Sequence, residues 1–215
     1  MLTVTQAIRQ RRSIRRFKPD LMPDDAILEI LEAARLAPSS SNRQPWRFIV
    51  VTDKDEKTRL RKICFDQAFI EEAPVVFVCC VDLTAYSKAS REKRSQESID
   101  YGVTETLSGY FADPAFRELF LNEPDSDLNV HFTSAMANTY IAVEHMALTA
   151  TALGLGSCWV GALGEGGELT EMFGLQPTTL PVAVLPVGYP AQDPPPRPRI
   201  PLSDILLRPL PVRSK

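Results

Sequence analysis

The run VVFVCCV at residues 75–81 constrains the fold most, because consecutive apolar residues leave no polar face for water. Such a run predicts a buried β-strand. Similar patterns predict further strands at residues 46–52, 157–163 and 180–187. These strands are few and short for a doubly wound parallel sheet. They indicate an α+β or α/β domain in which helix exceeds strand.

Helical periodicity separates the predicted strands. One helix begins after Pro23, where two aspartates suit the positive end of the helix dipole, and it ends near Pro38 and a serine-rich loop. The other predicted helices cover residues 3–12, 55–64, 132–153 and 168–173. In the first of them, Ala7 and Ile8 are expected to face inward.

The predicted helix at residues 132–153 is apolar around most of its circumference, which favours burial on several sides, including against a partner subunit. The segment 84–130 has a weaker pattern and is expected to form surface helices and loops. The tail at residues 190–215 is rich in proline and should be extended. It must lie on this subunit or on a neighbour.

Length and composition narrow the classes of protein. With 215 residues and no internal repeat, the chain is expected to form one domain. Its net charge of -3 argues against nucleic-acid binding. No signal peptide is predicted, because the N-terminus has no apolar run of the required length. No membrane span is predicted either, because polar residues interrupt the longest apolar stretch. Four cysteines without a CxxC pair argue against a zinc site or disulfide framework and favour the cytoplasm.

Several common catalytic sites are absent from the sequence. There is no P-loop, no GxGxxG motif and no G-x-S-x-G elbow. His131 and His145 are expected to have packing or capping roles. What remains is a basic cluster near the start of the chain and two arginines in the tail. Arginine binds phosphate through a planar fork, so both groups could converge on one phosphate, or they could be solvated surface charge.

Five motifs occur in a fixed order. They are RRSIRRF at residues 11–17, APSSSNRQPWRFIVV at 37–51, FDQAFIEEAPVV at 65–76, GLGSCWVGAL at 154–163 and LPVGYPA at 185–191. Together they resemble the FMN-dependent nitroreductase family, which includes small NAD(P)H oxidases and quinone or nitro reductases. The resemblance runs from about residue 5 to residue 207, and the lid-like segment 84–130 carries none of it.

This resemblance implies a nitroreductase-like α+β sandwich, with a mainly antiparallel sheet flanked by helices, built as an intertwined homodimer. It also implies FMN at the subunit interface. The residues matching the site of the phosphate and ribityl chain are Arg11, Arg12 and Ser13, together with the late Arg199 and its neighbour Arg197. Arg15 matches a basic residue near flavin N1, where a guanidinium stabilises the negative charge of the reduced ring.

Other motif positions imply contacts with the flavin ring. The loop residues Pro38, Ser39 and Ser40 match a loop that reaches the flavin from the other subunit, and Asn42 and Gln44 are expected to hold its shape. Gln67 matches an amide that hydrogen-bonds the ring. The small residues Gly161 and Ala162 match the segment whose backbone N–H faces flavin N5. Cys158 is expected to be buried and inert.

The implied activity is electron transfer from NAD(P)H to nitroaromatic, quinone or similar small acceptors by a ping-pong mechanism. The cofactor carries the chemistry, so no catalytic acid or base and no metal are predicted. Two alternatives stay open. One is a flavin-binding or redox-sensing protein with a closed site. The other is a specialised activity of the superfamily, such as reductive dehalogenation.

Overall fold

A four-stranded sheet forms the centre of the protein in the computed structural model, which describes residues 2–102, 114, 115, 118, 128–164 and 167–208. Its strands are β1 (Trp46–Val51), β2 (Val75–Asp82), β3 (Gly156–Ser157) and β4 (Thr179–Gly188). They lie in the order β1-β2-β4-β3, and every neighbouring pair is antiparallel. The predicted α+β class with a mainly antiparallel sheet is confirmed.

The central strand β2 is buried on both faces, as its composition predicts. Its adjacent residues Cys79 and Cys80 are fully buried in separate clusters, because successive strand side chains point to opposite faces. Phe77 joins Cys79 in the first cluster, and Val78 joins Cys80 in the second. Burying a side chain such as Phe77 contributes about 1.5–3 kcal/mol to folding.

Helices cover both faces of the sheet. Those before β2 are α1 (Val4–Gln10), α2 (Asp24–Arg35), α3 (Lys54–Ile63) and α4 (Ala68–Glu72). Those after it are α5 (Lys88–Asp100), α6 (Phe132–Ala152), α7 (Glu168–Met172) and α8 (Leu202–Ile205). Short 3-10 turns lie before β1 at Ser40–Asn42 and after β2 at Leu83–Tyr86 and Leu128–His131. Thr3 and Gln6 form a capping box that begins α1.

The long helix α6 packs against α2 and against the face of the sheet that carries Cys79. Ala142, Met146 and Ala150 lie in this buried seam, and His145 Nδ1 lies 3.2 Å from the carbonyl oxygen of Ala33 in α2. Ile141 stays 41% exposed. Within one chain, therefore, part of the circumference of α6 stays open.

Two local predictions were wrong. The strand expected at residues 157–163 is regular only at Gly156–Ser157, followed by an isolated bridge between Val160 and Val184. Trp159 lies between β3 and this bridge, and its side chain turns towards α6. There its ring lies edge-on to the Tyr140 ring, with the ring centroids 5.0 Å apart. In α1 only Ala7 is buried, whereas Ile8 is 57% exposed in the single chain.

Other predictions fall partly outside the described residues. In the lid-like segment 84–130, the structure describes α5 and the short turns at the two ends of the segment, whereas residues 103–113, 116–117 and 119–127 lie outside the described residues. In the tail, residues 190–208 are described and mostly exposed, with α8 as a single short turn, and 209–215 lie outside. Among the helices that the structure describes, none is long and apolar enough to cross a membrane.

Candidate cofactor site

The basic segment, residues 11–15, lies alongside the edge strand β3. Its backbone is tied there by a parallel bridge between Ser13 and Ser157 and by the Ile14 N–H, which donates to the Ser157 carbonyl at 2.9 Å. The approach depends on Gly156, since a Cβ on that residue would lie 2.5 Å from Ile14 Cγ1. A glycine in the GLG motif therefore lets the basic segment join the sheet.

The arginines of the basic segment differ in their surroundings. Arg15 is exposed, and its guanidinium lies 5.8 Å from the centre of the Phe69 ring. Arg12 turns back towards α1, where its Nη1 donates to the carbonyls of Arg9 at 2.7 Å and Arg11 at 2.9 Å. Arg12 therefore caps the end of its own helix in this conformation, whereas Arg15 is available to a ligand.

Cys158 lies between the basic segment and the core. Burial raises the pKa of its thiol, and the positive charges of Arg15 and Arg11 partly oppose that rise. Cys158 is 2% exposed, in agreement with the expected buried and inert role. The electrostatic effect also indicates that Arg11 and Arg15 act on the same region beside β3.

A tight turn next to the basic segment carries Gln67. The amide Nε2 of Gln67 donates to the Cys64 carbonyl at 2.9 Å. The preceding residues, Phe65 and Asp66, have φ values of 58° and 55°, in the left-handed region that bulky residues rarely adopt. Arg61 holds this turn through an ion pair with Asp66 at 2.7 Å. Sequence reasoning missed the turn, because no glycine or asparagine marks it.

Gly161 and Ala162 follow the Val160 bridge and are both exposed. A Cβ built on Gly161 would meet no atom within 4 Å. The Val160 N–H donates to the Val184 carbonyl at 2.9 Å and so fixes the backbone just before them. The chain therefore offers an open stretch of backbone along the same edge of the sheet as the basic segment.

A second group of predicted residues lies in the cofactor loop, defined as residues 38–44. Ser39 Oγ accepts a hydrogen bond from the Gln44 N–H at 2.9 Å, and Gln44 Nε2 donates to the Asn42 carbonyl at 3.3 Å. The Ser40 N–H donates to Asn138 Oδ1 of α6 at 3.1 Å. Ser41, Asn42 and Gln44 have positive φ values, so side-chain bonds must hold a strained backbone.

Within one chain, the cofactor loop and the basic segment lie at opposite corners of the sheet. The loop comes just before β1, and the strand register places the start of β1 level with Leu180 of β4. The basic segment lies beside Ser157 of β3, which pairs with Val187 of β4. Those two positions in β4 are about 23 Å apart at 3.3 Å per residue. The helix α6 gives a similar separation, because its axis runs about 21 Å from Asn138, which contacts the loop, to the C-terminal end of the helix, which leads into β3. The structure thus does not bring the two groups together in a single subunit.

The tail starts beside the basic segment, because the Ala191 N–H donates to the Arg16 carbonyl at 2.9 Å. Further along, Arg197 and Arg199 are exposed. Arg199 Nη1 donates to the carbonyls of Pro198 at 3.2 Å and Arg197 at 3.4 Å, both within the tail itself. The tail arginines are therefore free to reach a ligand or a neighbouring subunit.

The donor set suits FMN, although the two groups would each reach it from a different direction. The basic segment and tail supply guanidinium groups for a phosphate, and residues 161 and 162 supply exposed backbone. Left-handed turns at Phe65 and in the cofactor loop are typical of backbone held for ligand contact.

Comparison with known proteins identifies the family. The model of the nitroreductase family matches residues 8–189. A relative named NADH dehydrogenase from Thermus thermophilus is 33% identical over 96% of this chain and 96% of its own length. A relative named FMN reductase (NADPH) from Bacillus subtilis is 26% identical over 94% of this chain and 71% of its own length. Proteins named iodotyrosine deiodinase are also among the relatives.

A solved structure gives the same fold. It is a nitroreductase-type protein from Exiguobacterium sibiricum in complex with FMN, with a TM-score of 0.78 and 27% identity, covering 96% of this chain and 97% of the other. The match confirms the predicted fold, and the relatives confirm the predicted class, an oxidoreductase with FMN as cofactor and NAD(P)H as donor. This chain belongs to the nitroreductase family.

Proposed function

We propose that this protein transfers electrons from NAD(P)H, through FMN bound between two copies of the chain, to nitroaromatic, quinone or similar small acceptors. The two substrates take turns at one site in a ping-pong mechanism. The observation that carries the proposal is the edge of the sheet at β3, where the basic segment and the exposed backbone at Gly161 lie along one side.

When bound, FMN supplies the atom that accepts hydride and carries the electrons between substrates. The residues of this chain hold and tune it. In the proposal, Arg11, Ser13 and the tail arginines bind the phosphate and ribityl chain, and the backbone at Gly161 and Ala162 approaches N5. Arg15 faces N1, where its fixed positive charge stabilises the negative charge of the reduced ring.

The proposal requires a homodimer. A separation of about 20 Å between the cofactor loop and the basic segment is too large for one flavin ring to be held by both within a subunit. A second copy that brings its own loop to the edge at β3 completes the site. The exposed apolar residues of the tail, Ile200, Leu202 and Leu207, supply further surface for the same contact.

The first test is an absorbance spectrum of the purified protein, followed by addition of NADH or NADPH under nitrogen. We expect flavin absorbance that bleaches with one or both donors and returns on addition of a quinone or nitroaromatic. Initial rates at several concentrations of both substrates should give parallel lines in a double-reciprocal plot. Flavin that neither donor bleaches would instead favour the closed flavin-binding protein.

The shared site has a sharper test in mixed dimers. One variant carries Arg11→Ala with Arg15→Ala, and the other carries Ser39→Leu with Ser40→Leu, so each homodimer has two damaged sites. Co-expression should give mixed dimers with one intact site and recovered FMN binding. Failure to recover FMN in purified mixed dimers, or a monomer that retains FMN in sedimentation, would contradict the shared site.

Reductive dehalogenation is a second candidate, because iodotyrosine deiodinases are among the relatives. It would use the same FMN and a different acceptor. The segment 84–130 shows no arrangement of Glu, Tyr and Lys that matches a deiodinase lid, so the candidate ranks below the first. Release of iodide from iodotyrosine by the reduced protein, faster than reduction of quinones, would reverse that order.

The predicted cytoplasmic location stays part of the proposal. The four cysteines are free and buried, as suits a reducing compartment. Localisation of the full chain in cell fractions tests it directly.

A further inference from the structure

The cofactor loop is joined to α6 by a buried side chain that the sequence motifs do not include. Asn138 is 6% exposed, and its Oδ1 accepts the N–H of Ser40 at 3.1 Å. The other end of the same amide, Nδ2, donates to the Tyr86 hydroxyl at 2.9 Å. Both ends of the amide are thus used, and a reversed amide would set its donor against the Ser40 N–H.

Tyr86 also contacts the cofactor loop directly, through Arg43. Its ring lies 5.0 Å from the guanidinium of Arg43, the residue that ends the 3-10 turn of the loop. The ring also stacks on His131, with centroids 4.8 Å apart and planes 16° apart. Its hydroxyl donates to Ser134 Oγ at 3.2 Å. Tyr86 is therefore held on several sides and is a rigid support for both Asn138 and Arg43.

We propose that Asn138 and Tyr86 are positioning residues, which fix the backbone of the cofactor loop so that Ser39 and Ser40 can meet the flavin of the neighbouring subunit. This inference rests on the proposed function. The loop needs such support because Ser41, Asn42 and Gln44 lie in the left-handed region. A buried, satisfied amide selects one geometry where a purely apolar contact would allow several.

Tyr86 also connects the base of the lid-like segment to the cofactor loop. Tyr86 ends the short turn Leu83–Tyr86, His131 ends the turn Leu128–His131, and the stack between them joins the two ends of that segment. The base of the segment and the cofactor loop therefore share one side chain. A change in packing at Tyr86 should therefore alter FMN binding through the cofactor loop, without direct contact between Tyr86 and the flavin.

The test compares three variants of α6. Asn138→Leu has a similar size but no hydrogen bond, whereas the carboxylate of Asn138→Asp can accept from both Ser40 and Tyr86. Thr139→Val is the matched control, because Thr139 is fully buried and its Oγ1 has no hydrogen-bond partner among the described residues. The readouts are the Kd for FMN, amide hydrogen exchange of residues 39–44 without FMN, and the Tm.

We expect Asn138→Leu to raise the Kd for FMN about tenfold to a hundredfold, as loss of a buried hydrogen bond would. It should also speed exchange in the cofactor loop. Asn138→Asp should stay within about threefold of the parent Kd, and Thr139→Val should match the parent. Tyr86→Phe should weaken FMN binding less than Asn138→Leu, because the ring contacts remain.

Two outcomes would overturn the positioning role. One is loop exchange in Asn138→Leu as slow as in the parent, and the other is an Asn138→Asp variant no better than Asn138→Leu. A parent protein that binds no FMN would instead contradict the proposed function. The exchange data would still decide whether Asn138 holds the loop, so the two failures can be told apart.

Discussion

The basic segment and the cofactor loop are held in place by different means. The first lies in a β-bridge to β3, where backbone hydrogen bonds and the absence of a Cβ at Gly156 set its position. The second is a strained turn held by the side chains of Ser39, Gln44 and Asn138. Backbone pairing tolerates many changes of side chain, whereas a side-chain network fails when one member is lost. The two halves of the site should therefore respond differently to mutation.

The largest effect is expected where the basic segment meets β3. Gly156→Val would place side-chain atoms against Ile14, so we expect the free energy of unfolding to fall by about 1–3 kcal/mol and FMN retention to be lost. Urea titration of the FMN-free protein measures the first effect. Gly161→Ala is the control, since its Cβ meets no atom within 4 Å and its stability should match the parent. Equal stability of the two variants would mean that the close approach is unimportant.

Next in size is the loss of a charged contact from the basic segment. Arg11→Ala should weaken FMN binding by about 1.5–3 kcal/mol, as expected for hydrogen bonds to a charged group, and Arg199→Ala should act similarly. The Kd for FMN, from fluorescence quenching, checks both. Arg12→Ala is the comparison. Because Arg12 caps α1 in this structure, its loss should weaken FMN binding less than the loss of Arg11. If the Arg11 and Arg199 variants hold FMN as tightly as the parent, the phosphate assignment is wrong.

Arg15 should affect the reduction potential of the bound flavin more than the affinity of the protein for FMN. Arg15→Ala is expected to lower the reduction potential of the bound flavin by about 30 mV, which corresponds to about 1.4 kcal/mol for a two-electron couple. Anaerobic titration against a reference dye measures it. Arg15→Lys, which keeps the charge, should recover part of the shift. An unchanged potential in Arg15→Ala would remove the proposed role beside N1.

A smaller change is expected for one bond inside the cofactor loop. Ser39→Ala removes the acceptor for the Gln44 N–H and should cost about 1 kcal/mol of local stability. Hydrogen exchange at Gln44 should become faster, while exchange in the basic segment should not change. Exchange that is faster in both places would mean that the two halves are not independent.

The smallest effect concerns acid stability around the turn that carries Gln67. A hydrogen bond from Thr58 and, to a smaller extent, one from Arg61 lower the pKa of Glu71 in the folded protein. A lowered carboxylate pKa stabilises the fold above its unfolded value of 4.5, and this contribution is lost as the pH falls through the folded pKa. Glu71→Gln should therefore flatten the dependence of stability on pH below about 4.5. The same slope in the parent and the variant would exclude the contribution.

Much of the fold could be predicted because the signals are local. The apolar run of β2 implies burial on both faces, and the periodicity of α2 and α6 gives both helices to within a few residues. The strand after Gly156 was predicted too long, because a run of mostly apolar residues does not reveal that Trp159 turns towards α6. The resemblance named candidate site residues, but it could not name Asn138 or Tyr86, which act through contacts across 98 and 52 residues.

The sequence by itself determined the three longer strands, the main helices, the family and the residue types available for a phosphate and a flavin, because apolar patterning and short motifs lie along the chain. Only the tertiary structure decided the strand order, and with it the placement of the basic segment and the cofactor loop at opposite corners of the sheet. It also decided which arginine caps a helix and which stays open. These features depend on contacts between distant segments, and such contacts arise only when the chain is packed.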